Sequence, residues 1–108
     1  NDDAPPHWID VSPVENALTV NVGDMLQVLS NGKYRAPEHR VLASPPGVSR
    51  VSAPFFYNPA YDAEMRPLCT DKPRYSPFSW GYFRRRRFEG DFADEGKAEV
   101  QIADYLLP

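Results

Sequence analysis

The stretch Val48 to Tyr57 reads VSRVSAPFFY and has the composition of a β-strand. Because successive side chains of a strand point to opposite faces, Arg50 and Ser52 share one face with Phe56. The opposite face is apolar apart from one tyrosine hydroxyl. The stretch therefore predicts a strand with an apolar face for the core and a second face that carries a guanidinium beside a hydroxyl.

Three segments before it are also strand candidates, namely Trp8 to Val11, Ala17 to Val22 and His39 to Leu42. The second of them alternates apolar and polar side chains, which is the pattern of a half-buried strand. The third is separated from the strand at 48–57 by the turn sequence SPPG, so the two are predicted to form a hairpin.

One short helix is predicted between these strands. Asp24 is a favourable N-cap residue, an apolar stripe follows it, and Asn31 and Gly32 are expected to end the helix. Strands in the first half and a long helix late in the chain favour an antiparallel sheet with helical cover. Four short strands cannot close a barrel by themselves and leave unpaired edges, so the sheet is expected to be incomplete.

The long late helix has a clear predicted start. Ser79 is its expected N-cap, and Phe78 can pack on Phe83 as a hydrophobic staple. Gly90 is the expected end. The proline-containing residues 58–76 are predicted to form a connection that crosses the surface.

Bulk composition excludes several classes of protein. The chain is 42% hydrophobic, enough for a packed core, and its net charge of -3 argues against a general nucleic-acid binder. The single cysteine, Cys69, can form no intrachain disulfide, which favours a reducing compartment. No stretch approaches the roughly 20 apolar residues of a membrane span, and Asn1 to Pro6 has no signal-peptide pattern. We expect a soluble, cytoplasmic protein.

The run Arg84 to Arg87 permits a nuclear-localisation or nucleic-acid-binding alternative. Acidic residues follow at once, and Arg85–Glu89 and Arg87–Asp91 have the i,i+4 spacing of helical ion pairs. The aromatic residues expected to anchor this helix to its sheet are Trp80, Phe83 and Phe88. The pattern favours a solvated, charge-balanced helix face.

Three residues are candidates for chemistry. His39 lies near the beginning of a strand, and a strand-borne imidazole can serve as a neutral iron ligand, although a lone histidine is more often structural. Arg50 and Ser52 together offer a compact receptor for a carboxylate. The alternative is that both simply face water while the opposite face packs on the core.

Three motifs, taken together, resemble the C-terminal half of the plant-type Fe(II)/2-oxoglutarate-dependent oxygenases in order and spacing. They are NVGDMLQVLSNG at 21–32, EHRV at 38–41 and SRVSAPFFY at 49–57. The resemblance extends through nearly the whole chain. It implies a mainly β fold, a portion of a double-stranded β-helix (jelly roll) with a C-terminal α-helix.

On this resemblance the chain is the C-terminal portion of one oxygenase domain. Residues 1–57 would supply jelly-roll strands, residues 58–76 the connection, and residues 77–108 the C-terminal helix and tail. The chain alone is expected to be incomplete and inactive.

The resemblance also implies roles for individual residues. In that family a His-x-Asp pair and a distant histidine bind Fe(II), and an Arg-x-Ser pair binds the distal carboxylate of 2-oxoglutarate. By motif, His39 corresponds to the distant metal-binding histidine, and Arg50 and Ser52 correspond to the cosubstrate-binding pair. Phe56 is implied as a wall of the substrate pocket. The sequence departs from the family in two respects. It contains no His-x-Asp, since the other histidine, His7, is followed by aspartate three positions later, and the stretch Met65 to Thr70 is shorter than the usual acidic linker.

The implied function is that of an oxidoreductase. It would oxidise a small specialised metabolite or hormone by hydroxylation or desaturation, using Fe(II) and 2-oxoglutarate, with release of succinate and CO2; ascorbate is also allowed as a cofactor. The expected partners are a small-molecule substrate and O2, with no nucleic acid and no membrane, and the complete protein is expected to be a monomer. The alternative is a non-catalytic pseudoenzyme or truncated interaction fragment that lacks the His-x-Asp ligands.

Overall fold

The computed structural model describes residues 7–68, 70–91, 96 and 98–108. Outside the described part lie Cys69, the side chain of Asp91, Asp94 and Glu95. In chain order the elements are helix α1 (Asp24–Leu29), strand β1 (Glu64–Met65), strand β2 (Phe78–Ser79), helix α2 (Trp80–Asp91) and a 3-10 helix (Ile102–Tyr105). Within the described ranges, no helix is long and apolar enough to cross a bilayer.

The core lies where α1, α2 and the two short strands meet. Its buried side chains are Val28, Met65, Tyr75, Phe78 and Phe83. The ring of Phe78 is central to this cluster, with centroids 4.1 Å from Tyr105 and 5.3 Å from Phe83. Aromatic pairs at such distances stabilise a core beyond the area they bury, by about 0.5–1.5 kcal/mol each. The described packing is therefore centred on the C-terminal half of the chain.

Helix α1 forms where the sequence predicts it, with one difference at its start. Gly23 occupies the N-cap position, so the prediction that Asp24 is the N-cap is wrong by one residue. Asp24 is instead the first helical residue, where its carboxylate lies near the positive end of the helix dipole. Asn31 and Gly32, at φ 56° and 80°, end the helix as predicted, because this left-handed conformation cannot continue it.

The segment 58–76 was predicted to be a surface connection, and this prediction is wrong in part. It contains β1, which pairs antiparallel with β2 so that Met65 lies opposite Phe78. Met65 and Tyr75 are only 2% and 3% exposed and belong to the core. The physical reason is length: a strand of two residues is too short to produce a recognisable alternation of apolar and polar side chains.

Helix α2 begins as predicted. The Ser79 hydroxyl accepts the Tyr82 N–H at 3.4 Å, which confirms the N-cap, and the contact of Phe78 with Phe83 confirms the staple. The helix ends at Asp91, one residue beyond Gly90.

The predicted anchors of α2 differ in burial. Phe83 is buried and Trp80 is half-buried, whereas Phe88 is 53% exposed and lies outside the core, so the prediction for Phe88 is wrong. The C-terminal tail also packs on the core side of the helix, where the ring centroids of Tyr105 and Phe83 lie 6.2 Å apart. Burial also raises the pKa of the Tyr105 phenol above its usual range.

The four strands predicted in the first half do not form. They are Trp8 to Val11, Ala17 to Val22, His39 to Leu42 and Val48 to Tyr57, none of which pairs with another described segment. Their apolar side chains are exposed, as at Leu18 (93%) and Val51 (96%). A strand is stabilised by ladder hydrogen bonds and by cover on its apolar face, and the described residues provide neither here. The predicted antiparallel sheet is thus reduced to the β1–β2 pair.

Candidate functional site

The imidazole of His39 is exposed and contacts a backbone carbonyl. Its Nδ1 lies 3.1 Å from the carbonyl oxygen of Pro37. Because a carbonyl oxygen can only accept, Nδ1 donates in this contact, and Nε2 is the ring nitrogen that remains for another partner. Metal-binding histidines have this arrangement, with one ring N–H on a carbonyl and the other nitrogen toward the metal. The contact with Pro37 is therefore compatible with the metal-ligand role that the sequence predicts for His39.

The backbone that leads to His39 is tied to helix α1. Oε1 of Gln27 accepts the Ala36 N–H at 2.7 Å, and Nε2 of the same side chain donates to the Tyr75 hydroxyl at 3.1 Å. Sequence reasoning missed Gln27. The signal that could have indicated it is its polarity. Gln27 interrupts a run of apolar residues in α1, at a position where the helical pattern predicts an exposed side chain.

Arg50 lies at an open cleft of about 370 Å³ lined by residues 11–14 and 17–19. Ser12 and Thr19, which both carry hydroxyl groups, belong to the same lining. Arg50 forms no hydrogen bond or ion pair with another residue of the described ranges. A cationic side chain beside two hydroxyls is chemically suited to an anion.

The predicted site residues are not assembled into one cavity in this structure. His39, Ser52 and Phe56 are all exposed, Phe56 by 75%. Among the described residues, no hydrogen bond joins His39 to Arg50 or Ser52, and His39 is not part of the cleft lining. Among the described residues, the segments that carry these side chains have no neighbouring strands to fix their mutual positions.

A complete metal site is absent from the described part of the chain. No three His, Cys, Asp or Glu side chains there form a group that could hold a metal ion. His39 fits one position of an Fe(II) site, but a typical non-haem site needs two histidines and a carboxylate. The described residues therefore contain no complete set of ligands for Fe(II).

The arginine run of α2 is largely engaged in ion pairs. Arg85 pairs with Glu89 at 2.7 Å, as predicted from their spacing. Arg87 binds Asp24 at 3.2 Å and also pairs with Glu99. These contacts compensate the positive charge within the protein and favour a charge-balanced helix face over a nucleic-acid interface.

Comparison with known proteins assigns the chain to a family. The model of the 2OG-Fe(II) oxygenase superfamily matches residues 2–59, which include His39, Arg50 and Ser52. No solved structure gives a significant match.

Three curated plant proteins illustrate the similarity. The 1-aminocyclopropane-1-carboxylate oxidase 4 of Arabidopsis thaliana is 48% identical over 60 residues, which cover 56% of this chain and 19% of the relative. Jasmonate-induced oxygenase 1 of the same plant is 42% identical over 82 residues (71% and 20%), and its gibberellin 2-beta-dioxygenase 8 is 43% identical over 79 residues (73% and 23%). The chain spans about a fifth of the length of these relatives. Because the family model covers more than half of the chain and includes all three motifs, the chain belongs to the 2OG-Fe(II) oxygenase superfamily.

Proposed function

We propose that this chain is the C-terminal portion of an Fe(II)- and 2-oxoglutarate-dependent oxygenase that oxidises a small plant metabolite or hormone. The observation that carries the proposal is the family match over residues 2–59, which contains His39 and the Arg50-x-Ser52 pair. The names of the relatives support the substrate class, since they refer to 1-aminocyclopropane-1-carboxylate and to gibberellin, both small organic molecules.

In this proposal His39 is one ligand of the iron. The Pro37 carbonyl oxygen holds the Nδ1–H and so presents the Nε2 lone pair, as a neutral imidazole ligand requires. The remaining ligands would come from parts of the protein outside the described residues. When bound, Fe(II) and 2-oxoglutarate supply the activation of O2, with succinate and CO2 as products.

Arg50 and Ser52 are proposed to bind the distal carboxylate of 2-oxoglutarate. The guanidinium offers paired donors and a charge, and the serine hydroxyl adds a third donor from the same face of the strand. Since Arg50 has no partner among the described residues, carboxylate binding would not have to break an existing ion pair. Phe56, on the same face if the strand is regular, is proposed as an apolar wall of the substrate pocket.

We also propose that residues 7–22 and 35–57 become jelly-roll strands in the full-length protein. Their apolar side chains are exposed in this structure, as at Val20 (86%) and Phe55 (87%). A jelly roll would provide what these segments lack. Its neighbouring strands would pair with their backbones, and the opposite sheet would cover their apolar side chains.

The test is the conversion of 2-oxoglutarate by the full-length protein. With Fe(II) and O2 we expect succinate to form. Arg50→Ala should raise KM for 2-oxoglutarate about 100-fold, because losing a charge-assisted pair costs roughly 3 kcal/mol and each 1.4 kcal/mol is tenfold. Arg35→Ala, which removes an exposed arginine of the same charge, is the matched control and should leave KM unchanged.

Two outcomes would contradict the proposal. If the full-length protein neither binds 2-oxoglutarate nor forms succinate, it is a non-catalytic relative of the oxygenases. If Arg50→Ala keeps the wild-type KM while the enzyme is active, the carboxylate is bound elsewhere.

A further inference from the structure

We propose that Gln27 is a positioning residue for His39, which it serves by tying the backbone immediately before His39 to helix α1. The proposal rests on the proposed function, in which His39 is an iron ligand. Gln27 would not touch the metal or the substrate.

The first step of the argument is that Gln27 uses both ends of its side-chain amide. Its carbonyl oxygen accepts the Ala36 N–H at 2.7 Å, and its NH2 group donates to the Tyr75 hydroxyl at 3.1 Å. Tyr75 is only 3% exposed, so the side chain of Gln27 spans from the core to the segment before His39. An amide is suited to this because it combines a donor and an acceptor in one rigid plane.

The second step is that the C-terminal end of α1 is itself immobilised. Asn31 Oδ1 accepts the Arg74 N–H at 2.7 Å, and Asn31 Nδ2 donates to the carbonyl oxygen of Lys72 at 3.1 Å. Val28, in the adjacent turn of the helix, is fully buried. Gln27 therefore lies on a helix whose position is held by these contacts.

The third step is that, after the turn at Asn31 and Gly32, side chains of residues 27 and 30 hold the chain at Tyr34 and at Ala36. The Ser30 hydroxyl accepts the Tyr34 N–H at 3.1 Å, and Gln27 then holds Ala36. Beyond Ala36, the imidazole contacts only the Pro37 carbonyl oxygen within the described part of the chain. Among the described residues, the bond from Gln27 is thus the last hydrogen bond to another element before His39.

Loss of the Gln27 side chain should therefore affect the binding of iron and the binding of 2-oxoglutarate to different extents. Loss of the Ala36 bond would let the backbone before His39 move and would weaken iron binding, since changes around metal ligands typically cost 10–100-fold in affinity. Arg50 and Ser52 lie beyond the turn at residues 44–47, on a segment that Gln27 does not contact. Binding of 2-oxoglutarate should therefore be affected far less than binding of iron.

The experiment compares three variants of the full-length protein. Gln27→Met has nearly the same shape and loses both hydrogen bonds, whereas Gln27→Glu keeps an acceptor for the Ala36 N–H and can accept from the Tyr75 hydroxyl. Tyr75→Phe is the matched control, because it loses one hydrogen bond of the same side chain and leaves the Ala36 bond intact. The readouts are the Kd for Fe(II) measured without O2, the KM for 2-oxoglutarate and the hydrogen-exchange rate of the Ala36 amide.

We expect Gln27→Met to raise the Kd for Fe(II) about tenfold, to speed exchange at Ala36 and to leave KM for 2-oxoglutarate within about twofold. Gln27→Glu should restore both the Kd and the protection of Ala36. Tyr75→Phe should change the Kd by less than about twofold even if it lowers stability.

Three results would overturn the inference, and they differ from failure of the proposed function. A wild-type Kd for Gln27→Met in a protein that binds iron would refute the positioning role and leave the oxygenase intact. Equal losses of iron affinity in Gln27→Met and Tyr75→Phe would show a general structural effect instead. If the wild-type protein binds no iron, the proposed function fails, and this role of Gln27 fails with it.

Discussion

Arg87 connects three parts of the chain that are far apart in sequence. Its Nη1 donates to a carboxylate oxygen of Asp24 at 3.2 Å and to the side-chain carbonyl oxygen of Gln101 at 3.2 Å, while its Nε pairs with Glu99. Helix α1, helix α2 and the C-terminal tail thus meet at one guanidinium. The Arg87 side chain is 31% exposed, so solvent screens these pairs in part and each contributes only modestly.

Arg87→Met should therefore lower the free energy of unfolding by about 1–2 kcal/mol, because it keeps the apolar stem and removes two ion pairs together with their hydrogen bonds. The measurement is urea denaturation at low and high salt, and the loss should shrink at high salt. Arg84→Met is the control: Arg84 is exposed on the same helix and has no ion pair with a described residue, so a change below about 0.5 kcal/mol is expected. Equal effects of the two variants would contradict the role of Arg87.

Single-residue contacts could be predicted only where they are local. The Arg85–Glu89 pair follows from i,i+4 spacing, because one helical turn brings the two side chains together. The contact of Arg87 with Asp24 joins residues 63 positions apart, and that of Gln27 with Tyr75 joins residues 48 apart. No periodicity encodes such pairs, so they become visible only in the folded chain.

At the level of elements, the entry into α2 depends on a close backbone crossing. The Gly81 N–H donates to the carbonyl oxygen of Tyr61 at 2.9 Å. A Cβ placed on Gly81 would lie 2.6 Å from that oxygen and equally close to the Tyr61 ring. Glycine is needed here for space, since a methyl group would separate the start of the helix from the segment before β1.

We expect Gly81→Ala to destabilise the protein by about 1–3 kcal/mol, the usual cost of overpacking, even though alanine is the better helix former. Thermal or urea denaturation followed by circular dichroism measures the change. Gly23→Ala provides the comparison, because Gly23 has nothing within 4 Å of its Cβ position, and it should cost less than about 1 kcal/mol. A stabilised Gly81→Ala variant would contradict the close approach of Gly81 to Tyr61.

The sequence predicted helices better than strands for a physical reason. The start of α2 is encoded locally, by a serine cap and two phenylalanines that contact across one turn. A strand is completed only by its neighbours, and the segment at Val48 to Tyr57 finds none among the described residues. Its alternating pattern therefore predicts which side chains would be buried, but the pattern does not identify the strand or sheet that would cover them.

On the scale of the whole molecule, the chain divides into a packed part and an exposed part. The packed part comprises α1 with the turn after it and the described residues between Tyr61 and Leu107, and it contains every core residue of the described ranges. Residues 7–22 and 40–57 carry many large apolar side chains that are more than half exposed. Single exposed apolar residues are ordinary, but such a concentration supports our proposal that this surface is covered in the full-length protein.

This division predicts a context-dependent effect of mutation. In the 108-residue chain, Met65→Ala should cost about 2–5 kcal/mol, because it empties a core position, whereas Val51→Ala should be nearly silent. In the full-length protein, where we propose that the strand of Val51 is packed, Val51→Ala should cost about 1–2 kcal/mol. Denaturation of both variants in both contexts measures the contrast, and an identical effect of Val51→Ala in the two would contradict the proposed jelly-roll strand.

The proposed iron ligand is tested most directly by the metal content of the full-length protein after anaerobic loading with Fe(II) and removal of excess metal. Two variants that each remove one histidine make the comparison, His39→Ala and His7→Ala. We expect one iron per chain in the wild type and in His7→Ala, and almost none in His39→Ala, because His39 supplies a ligand through Nε2. Full iron content in His39→Ala would contradict the assignment of His39 as the metal ligand.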